Sequence, residues 1–483
     1  MKAVGLGAAG LGAAGAAAPL FHDLDEISAS SKGLKPAHPW FVKERDYMDP
    51  TTEIDWSLME RFDASGELNN SLHVDKDKLD QMRALNKAHV KEGFDGNKPG
   101  LDLRSYALKT SAWLKPYVRA GGAKAAFLGE KHRISTPEQL GTTKWTGTPE
   151  ENARMIRSAA RFFGACQVSF GEVIEGKTKK LINTVTADFG PKYPVVFEDV
   201  DDSYVVDPDD TGKGGKMVFA NKLKYAIILM IRQDLDMTRM ALSYLENSGG
   251  GKGYDQIDIT QYRMKSFLNG IGYDATGGTV MGLTCARPGW GTLFGLGELT
   301  RLMQLSCPEY GPLIRTTMVV FTDLPVAPNN PIDSGTNRFC INCNKCVDIC
   351  PVGAIYSEKE PDFIRTPIDS QNGPFPPDHL KPEAFNNSPG YKHWPLNHYA
   401  CGGYWSTVGP YCGICHGTCV FSKHPVSTIH ELVKPIITYT TAFNGFFLAM
   451  DKAYGYGTVP EERWNDWWED PFYEVPGYEN QGH

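Results

Sequence analysis

The sequence predicts a mixed α/β or α+β core that ends near Leu324, followed after Pro331 by a cysteine-rich domain of a different kind. Three observations lead there. A capped helical run is followed by apolar, β-rich runs; the composition changes at Pro331; and eight of the eleven cysteines fall within one 80-residue window, at Cys340, Cys343, Cys346, Cys350, Cys401, Cys412, Cys415 and Cys419.

The chain opens with MKAVGLGAAGLGAAGAAAPLFHDLDE. From Ala3 to Leu20 it is uncharged and nearly all Ala and Gly, short and weakly apolar for a membrane span. Lys2 ahead of this run and the small residues around Ala16–Ala18 suit an export-signal core over residues 1–30; a flexible leader is the alternative. Residues 31–330 are read as the N-terminal region and the α/β or α+β core, with a helical run at Asp77–Val90. Thr148-Pro149-Glu150-Glu151 supplies an N-cap, a first-turn proline and a capping-box glutamate. The helix they start is expected to reach Phe163, with Met155, Ala159, Phe162 and Phe163 on one side. Pro194–Phe197 and Tyr225–Ile231 read as buried strands. A glycine cluster (Gly249, Gly250, Gly251, Gly253) separates them from a helix around Ile257–Asn269, and a Gly-rich loop runs from Gly277 to Gly297. The cysteine domain spans 331–430, with an irregular excursion at 357–399 that holds eight prolines. The tail, 431–483, carries Trp464, Trp467, Trp468, Phe472 and Tyr473 and is expected to pack on the body.

Hydrophobic content of 41% and charged content of 22% describe a globular chain of 483 residues, and a net charge of −8 weighs against a nucleic-acid partner. The cysteines do not read as a disulfide framework, which belongs to small, core-poor secreted domains. Bound metal fits better. CINCNKCVDICP has the C-x2-C-x2-C-x3-C-P spacing in which three thiolates wrap one [4Fe-4S] cluster and the fourth turns to a second. The partner run is Cys412-x2-Cys415-x3-Cys419, with Cys401, separated from it by ten residues, as the missing ligand. Cys340, Cys343, Cys346 and Cys419 are assigned to one cluster, and Cys350, Cys401, Cys412 and Cys415 to the other. Two features depart from a plain two-cluster ferredoxin: Val420 stands where a proline would follow the second run, and Cys401 is displaced. Zinc or free core cysteines match this interlocked spacing less well. No dinucleotide-binding fingerprint follows a strand.

The chain resembles the respiratory reductive dehalogenases, the corrinoid and iron–sulfur enzymes of organohalide respiration. The resemblance covers nearly its whole length and rests on WTGTPEENARMIRSAARFFGA, LNGIGYDATGG, FGLGELTR, PEYGPLIRTTMVVFTDLPVAPNNPIDSGTNRFCINCNKCVDICP, CGGYWSTVGPYCGICHGTC and AYGYGT. It implies a nitroreductase-like α/β core holding a base-off cobamide with no protein ligand to cobalt, consistent with the absence of a D-x-H-x-x-G motif. Electrons would pass through the two clusters to cobalt, and halogen would be replaced by hydrogen with two electrons and one proton. The resemblance assigns the proton to Tyr254, nineteen residues ahead of the Gly272-Tyr273 pair, and its stabilising guanidinium to Arg315. It places Trp405 and Tyr411 in the aromatic wall of the substrate pocket, leaves a further polar pocket residue unmatched near Gly282, and has the Gly277–Gly297 loop admit the corrin. It also implies twin-arginine export, although the arginines are absent here, and a peripheral place on the outer face of the cytoplasmic membrane. The implied partners are an organohalide substrate, a small membrane-anchor subunit, and a hydrogenase complex or quinol-linked electron donor. Two rivals remain: an epoxyqueuosine-reductase-like corrinoid enzyme acting on transfer RNA, and a ferredoxin-type electron carrier without its own active site.

Overall fold

The computed structural model describes residues 36–62, 76–96, 98–112, 127–129, 134–186, 193–278, 284–363, 390–410, 412–423 and 428–469. Strand β1 (Lys43–Glu44) and helices α1 (Lys76–Asp95), α2 (Leu103–Ala112) and α3 (Pro149–Phe162) come first. Helix α3 begins as its sequence dictates: Thr148 Oγ1 accepts from Glu151 N at 3.2 Å, and Glu151 Oε2 accepts from Thr148 N at 2.8 Å. Its buried side differs from the apolar pattern. Asn152, Ala153, Ile156, Arg157 and Ala160 face inward, and Phe162 is 85% exposed. Arg157 is tolerated inside because its guanidinium donates to Val168 O at 3.1 Å and to Asn329 Oδ1 at 3.3 Å.

Strands β2 (Gln167–Glu172), β3 (Val195–Glu198), β4 (Tyr204–Val206), β5 (Lys216–Ala220) and β6 (Tyr225–Arg232) follow, then helices α4 (Leu235–Arg239) and α5 (Tyr244–Gly270). Next come β7 (Ala275–Thr276), α6 (Arg287–Leu293), the β8 (Glu298–Leu299) and β9 (Leu305–Ser306) pair, and β10 (Ile314–Thr322). The central sheet has the order β2-β6-β10-β7 with every pair antiparallel, which makes the core α+β. Strand β6 alternates between two cores: Ala226, Ile228 and Met230 join Trp290, Phe294 and the β3-β5-β4 sheet, while Ile227, Leu229 and Ile231 meet Ile156 of α3 and Ile257, Met264 and Leu268 of α5. Each such fully buried aliphatic side chain contributes about 1.5–3 kcal/mol, so this sheet is a firm base for what projects from its ends.

The glycine cluster does not break the chain. Helix α5 runs through Gly249, Gly250, Gly251 and Gly253, although each glycine costs about 1 kcal/mol relative to Ala. Burial decides the contest, because a Cβ at Gly253 would stand 2.5 Å from Arg315 Cβ and one at Gly249 would stand 3.0 Å from Met237 Cβ. The Gly277–Gly297 loop is likewise used against the chain itself. A Cβ at Gly295 would lie 2.3 Å from Asn330 O, one at Gly297 2.3 Å from Ser306 O, and one at Gly277 2.8 Å from Phe321 Cδ2. These glycines permit close internal packing; residues 279–283 of the loop are outside the described ones.

Strand β11 (Ile332–Asp333) closes on β1 and leads into α7 (Thr336–Asn342) and α8 (Lys345–Ile349). Helices α9 (His398–Thr407), α10 (Ile414–Thr418), α11 (Thr428–Tyr439), α12 (Asn444–Ala453) and α13 (Asp466–Glu469) complete the domain and the tail. Most of the proline-rich excursion lies outside the described residues, but its ends are tied by Asp362 N to His393 O at 2.9 Å and the reverse bond at 3.0 Å. The tail docks through Trp464, buried with Met240 and Leu245, while Phe472 and Tyr473 lie outside the described residues. Among the described residues no helix is long and apolar enough to cross a membrane.

Candidate functional site

Strand β10 carries an irregularity at its start: Ile314 pairs with Arg232 and Thr316 with Ile231, which leaves Arg315 as an extra residue. A bulge of this kind re-aims a side chain out of the ladder. Arg315 points to α5, where its Nη2 donates to Tyr254 Oη at 3.1 Å and its guanidinium carbon lies 4.6 Å from the centre of the Tyr254 ring. Tyr254 therefore sits inside a long helix, not just ahead of one. The two glycines preceding it on the same helix make room for the arginine, since a Cβ at Gly250 would be 3.3 Å from Arg315 Nη1 and one at Gly253 2.5 Å from its Cβ and Cγ.

Two turns before Tyr254, Glu246 is 0% exposed. Both of its carboxyl oxygens lack a hydrogen-bond partner among the described residues. Burial pushes its pKa up to about 8, opposed in part by the Arg315 guanidinium. Near pH 7 the group is held chiefly as the neutral acid and so draws less on the positive charge of Arg315. The carboxyl also reaches the cysteine domain: a Cβ at Gly413 would stand 2.4 Å from Glu246 Oε1, and Glu246 acts electrostatically on Cys412. His416 on α10 feels the same guanidinium and is pushed down to about 4, first by burial and then by Arg315. Arg315, Tyr254, Glu246 and His416 thus connect the sheet to α10.

None of the eight cysteines of the window is in a disulfide. Burial raises Cys340 well above the usual thiol range, with Cys343, Cys419 and Cys346 adding to the effect. Cys346 is raised by burial and then by Cys419 and Cys343. In the other group, burial pushes Cys401 up to about 12 with Cys350 adding to it, and Cys412 up to about 12 with Cys401 and Cys350 adding. Cys415 responds to burial, then to Cys412 and Cys401, and also to Cys346 across the two groups. The structure thus brings together Cys340, Cys343, Cys346 and Cys419, and separately Cys350, Cys401, Cys412 and Cys415, with Cys346 and Cys415 at the junction. Crowded buried thiols oppose one another's ionisation, and metal binding relieves that by taking the proton's place. Among the described residues no three His, Cys, Asp or Glu converge as one metal ion requires. A [4Fe-4S] cube spreads its four thiolates more widely than a single zinc does.

Trp405 lies on α9, one turn after Cys401, and is half-buried. Helix α9 is held to α1 by Asn86 Nδ2, which donates to Ser406 O at 3.2 Å, and by His89 Nδ1, 2.8 Å from Thr407 O. Tyr411 lies outside the described residues. Sequence reasoning missed Glu246, because no local pattern marks a buried acid. It also missed the buried charges Arg301, Lys345, Lys423 and Asp451 around the first cysteine group. Arg301 had a usable signal: with Glu298 it is one of two charged residues in the mostly apolar FGLGELTR segment.

A family model described as the reductive dehalogenase subunit matches residues 37–326, and one described as a 4Fe-4S binding domain matches 338–356. The chain is 29% identical to the chloroethene reductive dehalogenase of Dehalococcoides mccartyi strain VS, over 98% of this chain and 96% of that one. It is also 29% identical to the trichloroethene reductive dehalogenase of Dehalococcoides mccartyi strain ATCC BAA-2266 / KCTC 15142 / 195, over 93% of this chain and 90% of that one. A solved reductive dehalogenase described in connection with B12-dependent dehalogenation shares the fold with a TM-score of 0.60 at 19% identity, over 86% of this chain and 49% of that one. The catabolic reductive dehalogenase NpRdhA gives a TM-score of 0.59 at 18% identity over the same shares, so this chain spans about half the length of the solved structures it matches. A dehalogenase core model that covers most of the chain, a 4Fe-4S model over its first cysteine run and relatives aligned almost end to end agree: the chain belongs to the reductive dehalogenases, oxidoreductases that act on carbon–halogen bonds.

Proposed function

We propose that the chain reduces a carbon–halogen bond in a chlorinated ethene or arene, R–X + 2e⁻ + H⁺ → R–H + X⁻, with Tyr254 as the proton donor. The observation that carries this reading is the 3.1 Å bond from Arg315 to Tyr254 Oη. A free phenol with a pKa near 10 is a weak acid, and a guanidinium at its oxygen favours the anion it leaves behind. Names of the curated relatives favour chlorinated ethenes. Trp405 and Tyr411 are proposed as flat walls for such a substrate.

Electrons would travel from the Cys340, Cys343, Cys346 and Cys419 cluster to the Cys350, Cys401, Cys412 and Cys415 cluster, and so toward Arg315 and Tyr254. A cobamide suits the residues there. The unpartnered carboxyl of Glu246, a donor at one oxygen and an acceptor at the other while it holds its proton, can meet the side-chain amides that ring a corrin, and a buried carboxyl without partners is costly until it finds them. Bound at this place, a cobamide would supply the low-valent metal that takes halogen from carbon. Tyr254 then needs only to lie within hydrogen-bond reach of that carbon and to give up its Oη proton, with Arg315 keeping the phenolate in place.

The same reading has the protein exported by the twin-arginine route to the outer face of the cytoplasmic membrane. There it would dock on a small membrane-anchor subunit and draw electrons from a hydrogenase complex or a quinol-linked donor. The uncharged run Ala3–Leu20 supports export. Docking is supported by Ile429, Leu432, Ile436 and Tyr439, exposed apolar residues along one face of α11, with Phe443 and Phe446 exposed beyond them. The inner face of α11 packs Val433 and Ile437 against Cys343 and Cys419, so a partner there would sit over the first cysteine group. The electron-carrier rival needs only the cysteine window and leaves residues 37–326 without a role. The transfer-RNA rival calls for a basic groove that the −8 net charge does not favour.

Metal analysis of anaerobically prepared, cobamide-reconstituted protein is expected to give about eight irons with matching sulfide, and one cobalt, per chain. Eight irons without retained cobalt would leave the electron carrier as the better account.

A further inference from the structure

Four of the buried charged side chains act on the thiols of the first cysteine group. Arg301, Lys345, Lys423 and Asp451 are 1%, 8%, 7% and 7% exposed. Asp451 holds both lysines: its Oδ1 accepts from Lys423 Nζ at 2.7 Å and its Oδ2 from Lys345 Nζ. Lys345 also donates to Tyr456 O at 2.5 Å, and the Lys423 ammonium lies 4.1 Å from the centre of the Tyr456 ring. Arg301 is anchored through carbonyl oxygens, donating to Cys340 O and Tyr356 O at 2.9 Å each and to Glu358 O at 2.6 Å. All four act on the thiols. Arg301 and Lys345 act on Cys343, Arg301 on Cys346, and Lys423 on Cys419, each favouring negative charge, whereas Asp451 opposes it at Cys343 and Cys419. Among the side chains that act on these thiols, three cations stand against one carboxylate.

The second group is different. The side chains that act most strongly on Cys401, Cys412 and Cys415 are other thiols and the Glu246 carboxyl. Buried ion networks are poor stability devices, because desolvating each ion offsets most of the attraction. Their effect on a neighbouring charge is large, because little water screens it. Reducing an iron–sulfur cluster adds negative charge, so its potential rises with positive charge nearby.

We propose that Arg301, Lys345 and Lys423 hold the cluster on Cys340, Cys343, Cys346 and Cys419 at a higher reduction potential than the cluster on Cys350, Cys401, Cys412 and Cys415. The first electron to enter then rests on the former, one step away from the Arg315–Tyr254 pair, until the acceptor draws it on. The inference depends on the two-cluster reading. These residues set a potential; they do not touch the substrate.

The test is a potentiometric titration of the reconstituted full-length protein followed by electron paramagnetic resonance, with iron counted on every sample. Wild-type protein should show two separated midpoints. Lys423→Gln should lower the higher midpoint so that the reduced-to-oxidised ratio of that cluster falls about tenfold at fixed potential, 59 mV for a one-electron couple, and leave the lower midpoint in place. Lys423→Arg, which keeps the charge, should stay near wild type, and Asp451→Asn should raise the higher midpoint. With eight irons retained, equal movement of both midpoints, or movement of neither, overturns the inference. Should Lys423→Gln lose iron, Asp451→Asn decides alone, and an unmoved higher midpoint overturns the proposal. Fewer than eight irons in wild-type protein would be a failure of the two-cluster reading instead.

Discussion

Replacing Tyr254 with Phe is expected to lower kcat for halide release by about 10²–10⁴-fold, the usual worth of a positioned general acid. That is a loss of about 2.7–5.4 kcal/mol of transition-state stabilisation. The substitution removes one oxygen and little else. The ring keeps its place in α5 and its face toward Arg315, whose guanidinium carbon lies 4.6 Å from the ring centre. Iron and cobalt content should match wild type, and KM should change far less than kcat, because the phenol acts on the intermediate more than on the bound organohalide. The check is steady-state halide release with metal analysis on the same preparation. A kcat within threefold of wild type would mean that water or another acid delivers the proton.

Gly253→Ala is expected to lower kcat by about 10²-fold, the typical consequence of misplacing a catalytic group by about 1 Å. The added methyl would stand 2.5 Å from both Cβ and Cγ of Arg315. Those atoms are the root of the side chain, fixed by the bulge in β10, and cannot swing aside as a flexible tip can. Either Arg315 or α5 must shift, and the 3.1 Å bond to Tyr254 Oη stretches with it. Propensity alone predicts the reverse, since Ala in a helix interior is favoured over Gly by about 1 kcal/mol. Gly445→Ala is the matched control, because nothing lies within 4 Å of the Cβ it would add. Comparing kcat and thermal midpoints of the two variants decides the matter. A Gly253→Ala protein that is more stable and fully active would contradict the crowding.

The two variants also show which parts of the molecule were legible in its sequence. Capping is local, so Thr148 to Glu151 announced the start of α3 correctly. Apolar runs such as Tyr225–Ile231 declared a strand, because a strand covered on both faces needs little but β-branched and other apolar residues. The spacing of Cys340, Cys343, Cys346 and Cys350 is chemistry written in sequence, and it pointed to the 4Fe-4S run that a family model matches at 338–356. What failed was whatever tertiary contact decides. The glycines at 249–253 read as a break because their propensity is poor, yet they admit Met237 and Arg315 into a continuous helix. The sequence places Phe162 on one helix side with Met155, Ala159 and Phe163, yet those three pack against the core and Phe162 is exposed, while Arg157 is buried, since its partners Val168 and Asn329 come from other segments. Glu246 was invisible because its neighbours come from β10 and α10. Asp451 meets Lys345 across 106 residues of chain, a pairing that no window of sequence contains.

The most direct measurement is the stoichiometry of halide release. Reconstituted protein is given a low-potential reduced dye and a panel of chlorinated ethenes and arenes, in deuterated water, and chloride, dye oxidation and deuterium in the product are followed together. The account predicts one chloride per two electrons for at least one substrate of the panel, with one deuterium on the carbon that lost chlorine. Dye oxidised without chloride, or chloride released without consumption of reductant, would contradict it.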